Sequence, residues 1–384
     1  MTTFARWSFP TEIRFGLGAC KSVGEALAQR GRERALVVTD PGVRGAGLTD
    51  PIVASLEAAG IDAAVFDGLA GNPLERHVED GLAAYHDADA DCLVAVGGGS
   101  AMDVAKVVAV KVNHHRPLAD YDDAKGGDAL ITEPVPPIVA IPTTAGTGSE
   151  VGRSGVVTLR ETGRKTVIFA PALLPVVAIL DPELTFGLPA LLTAATGYDA
   201  LTHSVEAYVA KGDHPLCDAI ALGGIALVAR SLARAVDEPG NAEARGDMMK
   251  AAMMGAIAFQ KGLGACHSLA HPLSAVSELH HGLANALCLP AVVRFNLEQE
   301  GLAPRYAEIA RILTGEAKAK AEVCADALTE LRARLGLPSG LGEAGVSEDD
   351  LDKLADEAFA DSCHANNPRE CTRPDMLALY RASW

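Results

Sequence analysis

The run CLVAVGGGSAMDVAKVVAVKV, residues 92–112, constrains the fold more than any other part of the chain. Its first residues are apolar, short and bounded by turn signals, as in a strand buried on both faces. Ala101–Val112 then reads as a helix, which leaves Gly97-Gly98-Gly99-Ser100 as a tight turn between the two. Strand, glycine turn and helix together present backbone N–H groups and a helix N-terminus to a phosphate. The glycines let a pyrophosphate approach the main chain, and Ser100 can cap the helix or donate its hydroxyl to the phosphate. The spacing is not GxGxxG, so the usual dinucleotide fingerprint does not transfer. An isolated GGGS is an ordinary turn; the buried strand ahead of it points to anion binding.

The rest of the first half repeats the alternation. Arg34–Thr39, Ile61–Phe66, Pro137–Ile141 and Pro175–Leu180 read as strands, and Val23–Gln29, Pro51–Ala59 and Glu75–His86 as helices. Alternation of this kind predicts a mostly parallel sheet flanked by helices. Asp40 closes the RALVVT strand, and Pro142-Thr143-Thr144-Ala145-Gly146-Thr147-Gly148 follows another buried strand as a second wall for a nucleotide. Glu161-Thr162-Gly163-Arg164 marks a hairpin, and Arg116–Pro136 a surface loop. From Pro189 the pattern becomes helix after helix, including Ala190–Ala210, His214–Ala235, Asn241–Phe259 and Ala317–Arg334. The expected architecture is an α/β nucleotide-binding domain over residues 1–187 and an all-α domain over 188–384.

A formal net charge of −17 argues against a nucleic-acid partner, which needs a basic face. The eight cysteines form no CxxC pair, the N-terminus lacks an apolar signal core, and no apolar run reads as long enough to span a membrane. The expectation is a cytoplasmic chain with reduced thiols and no membrane partner.

The chemistry concentrates in GLGACHSLAHPLSAVSELHHGLAN, residues 262–285, which holds His267, His271, His280 and His281. His267 and His271 stand at i, i+4, so on a helix they leave one face. A second i, i+4 pair, Asp199 and His203, lies in TGYDALTH. Clustered imidazoles with a carboxylate hold a borderline transition metal. The expected ligands are Asp199, His203, His267 and His281, with His280 as the alternative to His281. Other histidines, such as His114 and His214, read as satisfied structural residues.

These pieces, GGGSAMDVAK, PTTAGTGSEV, ATGYDALTHSVEAY, GLGACHSLAHPL, HHGLANALCLP and NNPRECT, stand in an order that resembles the iron-containing alcohol dehydrogenases, the group with lactaldehyde reductases and propanediol dehydrogenases. The resemblance spans nearly the whole chain. It implies oxidation of an alcohol, or reduction of its aldehyde, with NAD and a divalent metal, Fe²⁺ foremost and Zn²⁺ as the alternative. It implies the same four metal ligands and places His271 near the nicotinamide, where it can carry a proton. It sets Asp40 at the adenosine ribose, favouring NAD over NADP. It lines the dinucleotide with Asn72, Gly97, Gly98, Gly99, Ser100, Asp103, Thr143, Thr144, Thr147 and Lys165. A homodimer or higher homo-oligomer is expected.

Two departures bear on the substrate. Phe259 is followed by only Gln260-Lys261 before GLG, and Gly152-Arg153 follows GTGSEV where Thr is common. Two cations near one site, Lys261 and Arg153, point to an anionic substrate tail: an ω-hydroxy acid or semialdehyde, a phosphonate or a sulfonate. With Lys261 turned to solvent and Arg153 paired to Glu150, plain short alcohols are the substrates instead. The competing activity is a metal- and NAD-using lyase of the dehydroquinate-synthase type, which returns its hydride.

Overall fold

The computed structural model describes residues 11–384. Eight strands are present among them: β1 (Glu12–Phe15), β2 (Arg34–Val38), β3 (Asp62–Phe66), β4 (Cys92–Gly97), β5 (Ile138–Pro142), β6 (Ser154–Thr158), β7 (Lys165–Phe169) and β8 (Val177–Leu180). Six form one parallel sheet in the order β1-β8-β5-β4-β2-β3, while β6 and β7 pair antiparallel as the expected hairpin. The helices of this part are α1 (Val23–Ala28), α2 (Pro41–Gly45), α3 (Asp50–Ala58), α4 (Glu75–Asp87) and α5 (Gly99–Asn113).

The apolar runs follow from burial on both faces. Leu36, Val38, Leu93, Ala95, Ile138 and Ala140 join one core cluster, and Ala35, Val37, Cys92, Val94, Val139 and Ile141 join the other. A strand alternates its side chains, so a sheet covered on both sides needs apolar residues at every position. The chain runs outward from β2 to β3, then returns to β4 on the other flank of β2 and continues to β5. The carboxyl ends of β2 and β4 thus flank a topological switch point, the usual ligand crevice of an open α/β sheet.

The second half holds α6 (Ala190–Val209), α7 (Pro215–Asp237), α8 (Ala242–Ala258), α9 (Ala265–Val276), α10 (His281–Leu297), α11 (Ala303–Thr314), α12 (Val323–Arg334), α13 (Leu351–Ala360) and α14 (Arg373–Ala382). Among the described residues, 11–144 and 148–185 form one compact unit, and 145–147 with 186–384 form the other. The turn segment 145–147, which contains Thr147, therefore clusters with the helical unit.

Two readings are corrected. The helix expected from Ala317 begins only at Val323, after turns. Helix α7 is long and apolar enough to cross a membrane by length and composition. Its polar residues are used locally: Arg230 pairs with Asp247 of α8, and Asp218 with Lys261 and Arg305. It packs as a bundle helix against α6 and α8.

Candidate metal and nucleotide sites

Helix α6 is buried along nearly its whole circumference, which places its polar residues in the interior of the bundle. Asp199, His203 and Glu206 stand at i, i+4 and i+7 and share one face. Helix α9 supplies His267 and His271, and α10 begins with His281 and carries Asn285 one turn on. The start of α10 lies directly against α6. A β-carbon on Gly282 would sit 2.1 Å from the Ala195 carbonyl oxygen and 3.2 Å from Asp199 Cβ. Only a residue without a side chain permits that approach, and the approach brings His281 to Asp199.

The imidazoles converge on one carboxylate oxygen. Asp199 Oδ1 lies 3.9 Å from His203 Nε2, 3.8 Å from His267 Nε2 and 3.5 Å from His281 Nε2. The His203 and His267 rings stack with centroids 4.7 Å apart. Asn285 Nδ2 donates to Asp199 Oδ1 at 2.8 Å. Burial pushes His203 down to about 4, and desolvation holds His281 well below the ordinary imidazole value. Burial opposes ionisation of Asp199, yet the three imidazoles keep its carboxyl below the usual range. Burial opposes charge on His267 as well, but Glu206 draws that ring toward its charged form. Three ring nitrogens gathered around one carboxylate oxygen form a set that fits a divalent borderline metal. His280 is exposed at the N-cap of α10, and it is His281 that reaches Asp199.

Three functional candidates escaped the sequence reading. Glu206 Oε2 accepts from His267 Nδ1 at 2.6 Å, a carboxylate–histidine pair of the kind that orients metal ligands. Its signal was present, one helix face with Asp199 and His203. Asn285 lay unremarked in HHGLAN. Asp361 has no local signal: it follows α13 and accepts from His271 Nδ1 at 2.8 Å, across 90 residues of chain. Asp361 also accepts from Ser268 Oγ at 2.7 Å and Cys363 N at 2.8 Å. Burial works against its charge, but these bonds and His271 hold it well below the carboxylate range.

In the α/β unit, Asp40 caps α2, with Oδ1 accepting from Gly42 N at 2.9 Å and Val43 N at 3.0 Å. Its Oδ2 faces the glycine turn, 3.5 Å from where a β-carbon on Gly97 would lie. Gly97 has φ +150, and that β-carbon would meet Ala101 Cβ at 2.8 Å, so a side chain is excluded twice. Gly98 is the N-cap of α5 and Gly99 its first residue. Ser100 does not cap the helix; its hydroxyl donates to the Gly71 carbonyl at 3.1 Å, beside exposed Asn72. Thr143 N donates to the Gly97 carbonyl at 3.0 Å, which fixes the second turn to the first. The Thr144 side chain lies 3.5 Å from a β-carbon built on Gly98. Beneath this floor, burial pushes Asp103 up to about 7 against the pull of Lys106 and Lys165, and lowers Lys165. The open glycine cradle with a carboxylate at its rim fits a dinucleotide with a free ribose hydroxyl.

Lys261 is corrected. Its ammonium is buried, 2.9 Å from the Tyr208 carbonyl and 2.5 Å from Asp218 Oδ1, whose other oxygen meets Arg305 at 2.8 Å. A cation with its donors committed inside the bundle is not free for a substrate anion. Lys261→Met is expected to lower stability by roughly 1–3 kcal/mol, since Asp218 keeps Arg305. It should cost neutral and anionic substrates equally; denaturant midpoints and paired kinetics check both. Arg153 precedes β6, half-buried, and makes no ion pair with Glu150 or any other described residue. The Glu150 carboxyl is itself buried and pushed up to about 7 by desolvation.

Comparison with known proteins gives a uniform result. Residues 10–182 match the sequence profile of iron-containing alcohol dehydrogenases, and residues 193–384 the profile of the Fe-containing alcohol dehydrogenase family, C-terminal. The chain is 42% identical to 4-hydroxybutyrate dehydrogenase of Cupriavidus necator over 380 residues, covering 97% of this chain and 98% of that one. A crystal structure of 1,3-propanediol oxidoreductase superposes with a TM-score of 0.94 at 39% identity, over 100% of both chains. Sulfoacetaldehyde reductase from Bifidobacterium kashiwanohense, solved in complex with NAD⁺, gives 0.88 at 31% identity, over 99% of each.

Proposed function

This chain belongs to the iron-containing alcohol dehydrogenase family, and from that premise we propose an NAD-dependent oxidoreductase for a short alcohol or aldehyde with an anionic tail. The observation that carries the reading is the convergence of three imidazoles on Asp199. In this proposal Asp199, His203, His267 and His281 hold a divalent metal, iron foremost and zinc as the alternative. When bound, the metal supplies a Lewis acid beside the substrate oxygen and the nicotinamide supplies the hydride acceptor.

The protein's own residues do the rest. Asp361 holds the His271 ring through Nδ1, which leaves Nε2 to exchange the proton of the substrate hydroxyl. The turn Gly97–Ser100 with Thr143 and Thr144 seats the pyrophosphate, and Asn72, Asp103, Thr147 and Lys165 complete the dinucleotide site. Asp40 accepts from the ribose hydroxyls. The solved reductase with NAD⁺ supports this choice of cofactor. Residues 1–187 would then serve the dinucleotide and 188–384 the metal. The eight free thiols support a reducing, cytoplasmic setting. Exposed Ile13 and Leu17 support a homo-oligomer.

Net NADH formation with an alcohol substrate tests the class, because a lyase that returns its hydride accumulates none. For the anionic tail, two similar proteins are named for 4-hydroxybutyrate and sulfoacetaldehyde, each with an anionic group beyond a short carbon chain. With Lys261 committed elsewhere, Arg153 is the remaining cation for that tail, and guanidinium suits a carboxylate or sulfonate bidentately. Arg153→Met is expected to lower kcat/KM for 4-hydroxybutyrate about tenfold or more, the worth of one charge-assisted contact, and to leave 1-butanol nearly unchanged. Equal losses on both substrates would remove Arg153 from the tail site.

A further inference from the structure

Of the three imidazoles that face Asp199, only His267 has a carboxylate behind its other nitrogen among the described residues. That carboxylate, Glu206, is buried and donates nothing when ionised; its two oxygens receive two different donors. Oε2 takes His267 Nδ1–H at 2.6 Å, and Oε1 takes the backbone N–H of Cys266 at 2.7 Å, in the first turn of α9. His203, by contrast, is held by ring contacts, stacked on His267 and tilted against Phe259 at 5.1 Å.

We propose that Glu206 is the positioning residue of the metal centre: it locks His267 as the Nδ1–H tautomer, so that the Nε2 lone pair faces Asp199 and the cation. The inference rests on the reading of His267 as a ligand. An imidazole has one lone pair when neutral, and whichever nitrogen carries the proton cannot ligate. A carboxylate is acceptor-only, so the nitrogen facing Glu206 must carry the proton. Glutamine has the same shape but one acceptor oxygen. In Glu206→Gln that oxygen can serve Cys266 N–H or His267, but not both. If it stays with Cys266, the amide N–H₂ faces His267 and favours the opposite tautomer, whose Nε2–H points at the site.

The test uses the full chain with zinc alone as the probe. Long-range proton–nitrogen NMR of histidine-labelled, metal-free wild type, at a pH high enough for the His267 ring to be neutral, should show it as the Nδ1–H tautomer; the Nε2–H tautomer overturns the proposal without any variant. Glu206→Gln should shift that equilibrium toward Nε2–H and weaken zinc, by chelator competition, about 10–100-fold. Affinity within about twofold of wild type, with the tautomer unmoved, overturns it. Asn367→Ala separates positioning from mere anchoring, because Asn367 Oδ1 accepts the Ala265 N–H of the same turn at 3.2 Å without touching His267. It should leave the tautomer in place and zinc affinity near wild type; an equal loss in both variants overturns the proposal. His267→Ala distinguishes the two levels. Zinc held by that variant with wild-type affinity defeats the metal reading itself, whereas zinc lost there beside an unaffected Glu206→Gln defeats only the role of Glu206.

Discussion

Replacing His267 by alanine is expected to remove metal and turnover together. The variant takes away one of three imidazoles and leaves Asp199 and Glu206 as buried carboxylates without the ring between them. Metal catalysis is worth several kcal/mol of transition-state stabilisation. Losing it should lower kcat/KM by about a thousandfold or more, at ~1.36 kcal/mol per factor of ten. Elemental analysis of anaerobically purified protein should find about one divalent metal per wild-type chain and a small fraction of that in the variant. A chelator should abolish wild-type activity, and added Fe²⁺ or Zn²⁺ should restore it in wild type only. Full metal occupancy in His267→Ala would falsify the ligand assignment.

The second large effect concerns the cofactor. Asp40 spends one oxygen on the first turn of α2 and keeps the other toward the Gly97 turn. A carboxylate there accepts from a ribose 2′-OH and repels a 2′-phosphate. Asp40→Gly loses the hydrogen bond to NAD, about 1.5–3 kcal/mol for a charged acceptor, and relieves the repulsion of NADP. The ratio of kcat/KM for NADP over NAD should rise about a hundredfold. The fold should tolerate the change, because glycine is itself a fair N-cap and costs only a few tenths of a kcal/mol, on the order of thermal energy. Paired steady-state kinetics with both cofactors measure this ratio. A wild type that already prefers NADP would remove Asp40 from the ribose.

The parallel sheet was legible because burial on both faces writes itself as uninterrupted apolar runs in RALVV and CLVAV. The hairpin was legible because Glu161-Thr162-Gly163-Arg164 separates two β-rich stretches. What the runs could not carry was their order. The return of β4 to the flank of β2 makes the crevice, and it is decided by how the helices cover the sheet. Helix α7, which passes for a spanning helix by length and composition, shows the same limit of a local reading. Its charged residues lie near its two ends, and only their partners on neighbouring elements show what they do.

The residues assigned to the metal came out of local spacing. Asp199 with His203, and His267 with His271, each stand one helical turn apart, and that periodicity is a property of the chain. Local spacing says which side chains leave one face of a helix; it does not say which faces meet. The meeting of α6 with α10 depends on Gly282, where any β-carbon would strike the Ala195 carbonyl. The partnership of His271 with Asp361 joins segments 90 residues apart, and that of His267 with Glu206 joins segments 61 apart. Lys261 shows the reverse case. In the sequence it is a cation beside a glycine turn, free to meet an anion. Packing of α7 and α11 around it supplies Asp218 and Arg305, and burial then makes that pairing the cheaper arrangement than a solvent-facing charge in a closed bundle. The elements, the glycine turn and the helical faces that carry ligands were set by local order, because those depend on neighbours along the chain. Tertiary structure alone decided which carboxylate backs which imidazole and which cation is left unpaired, because those depend on neighbours across it.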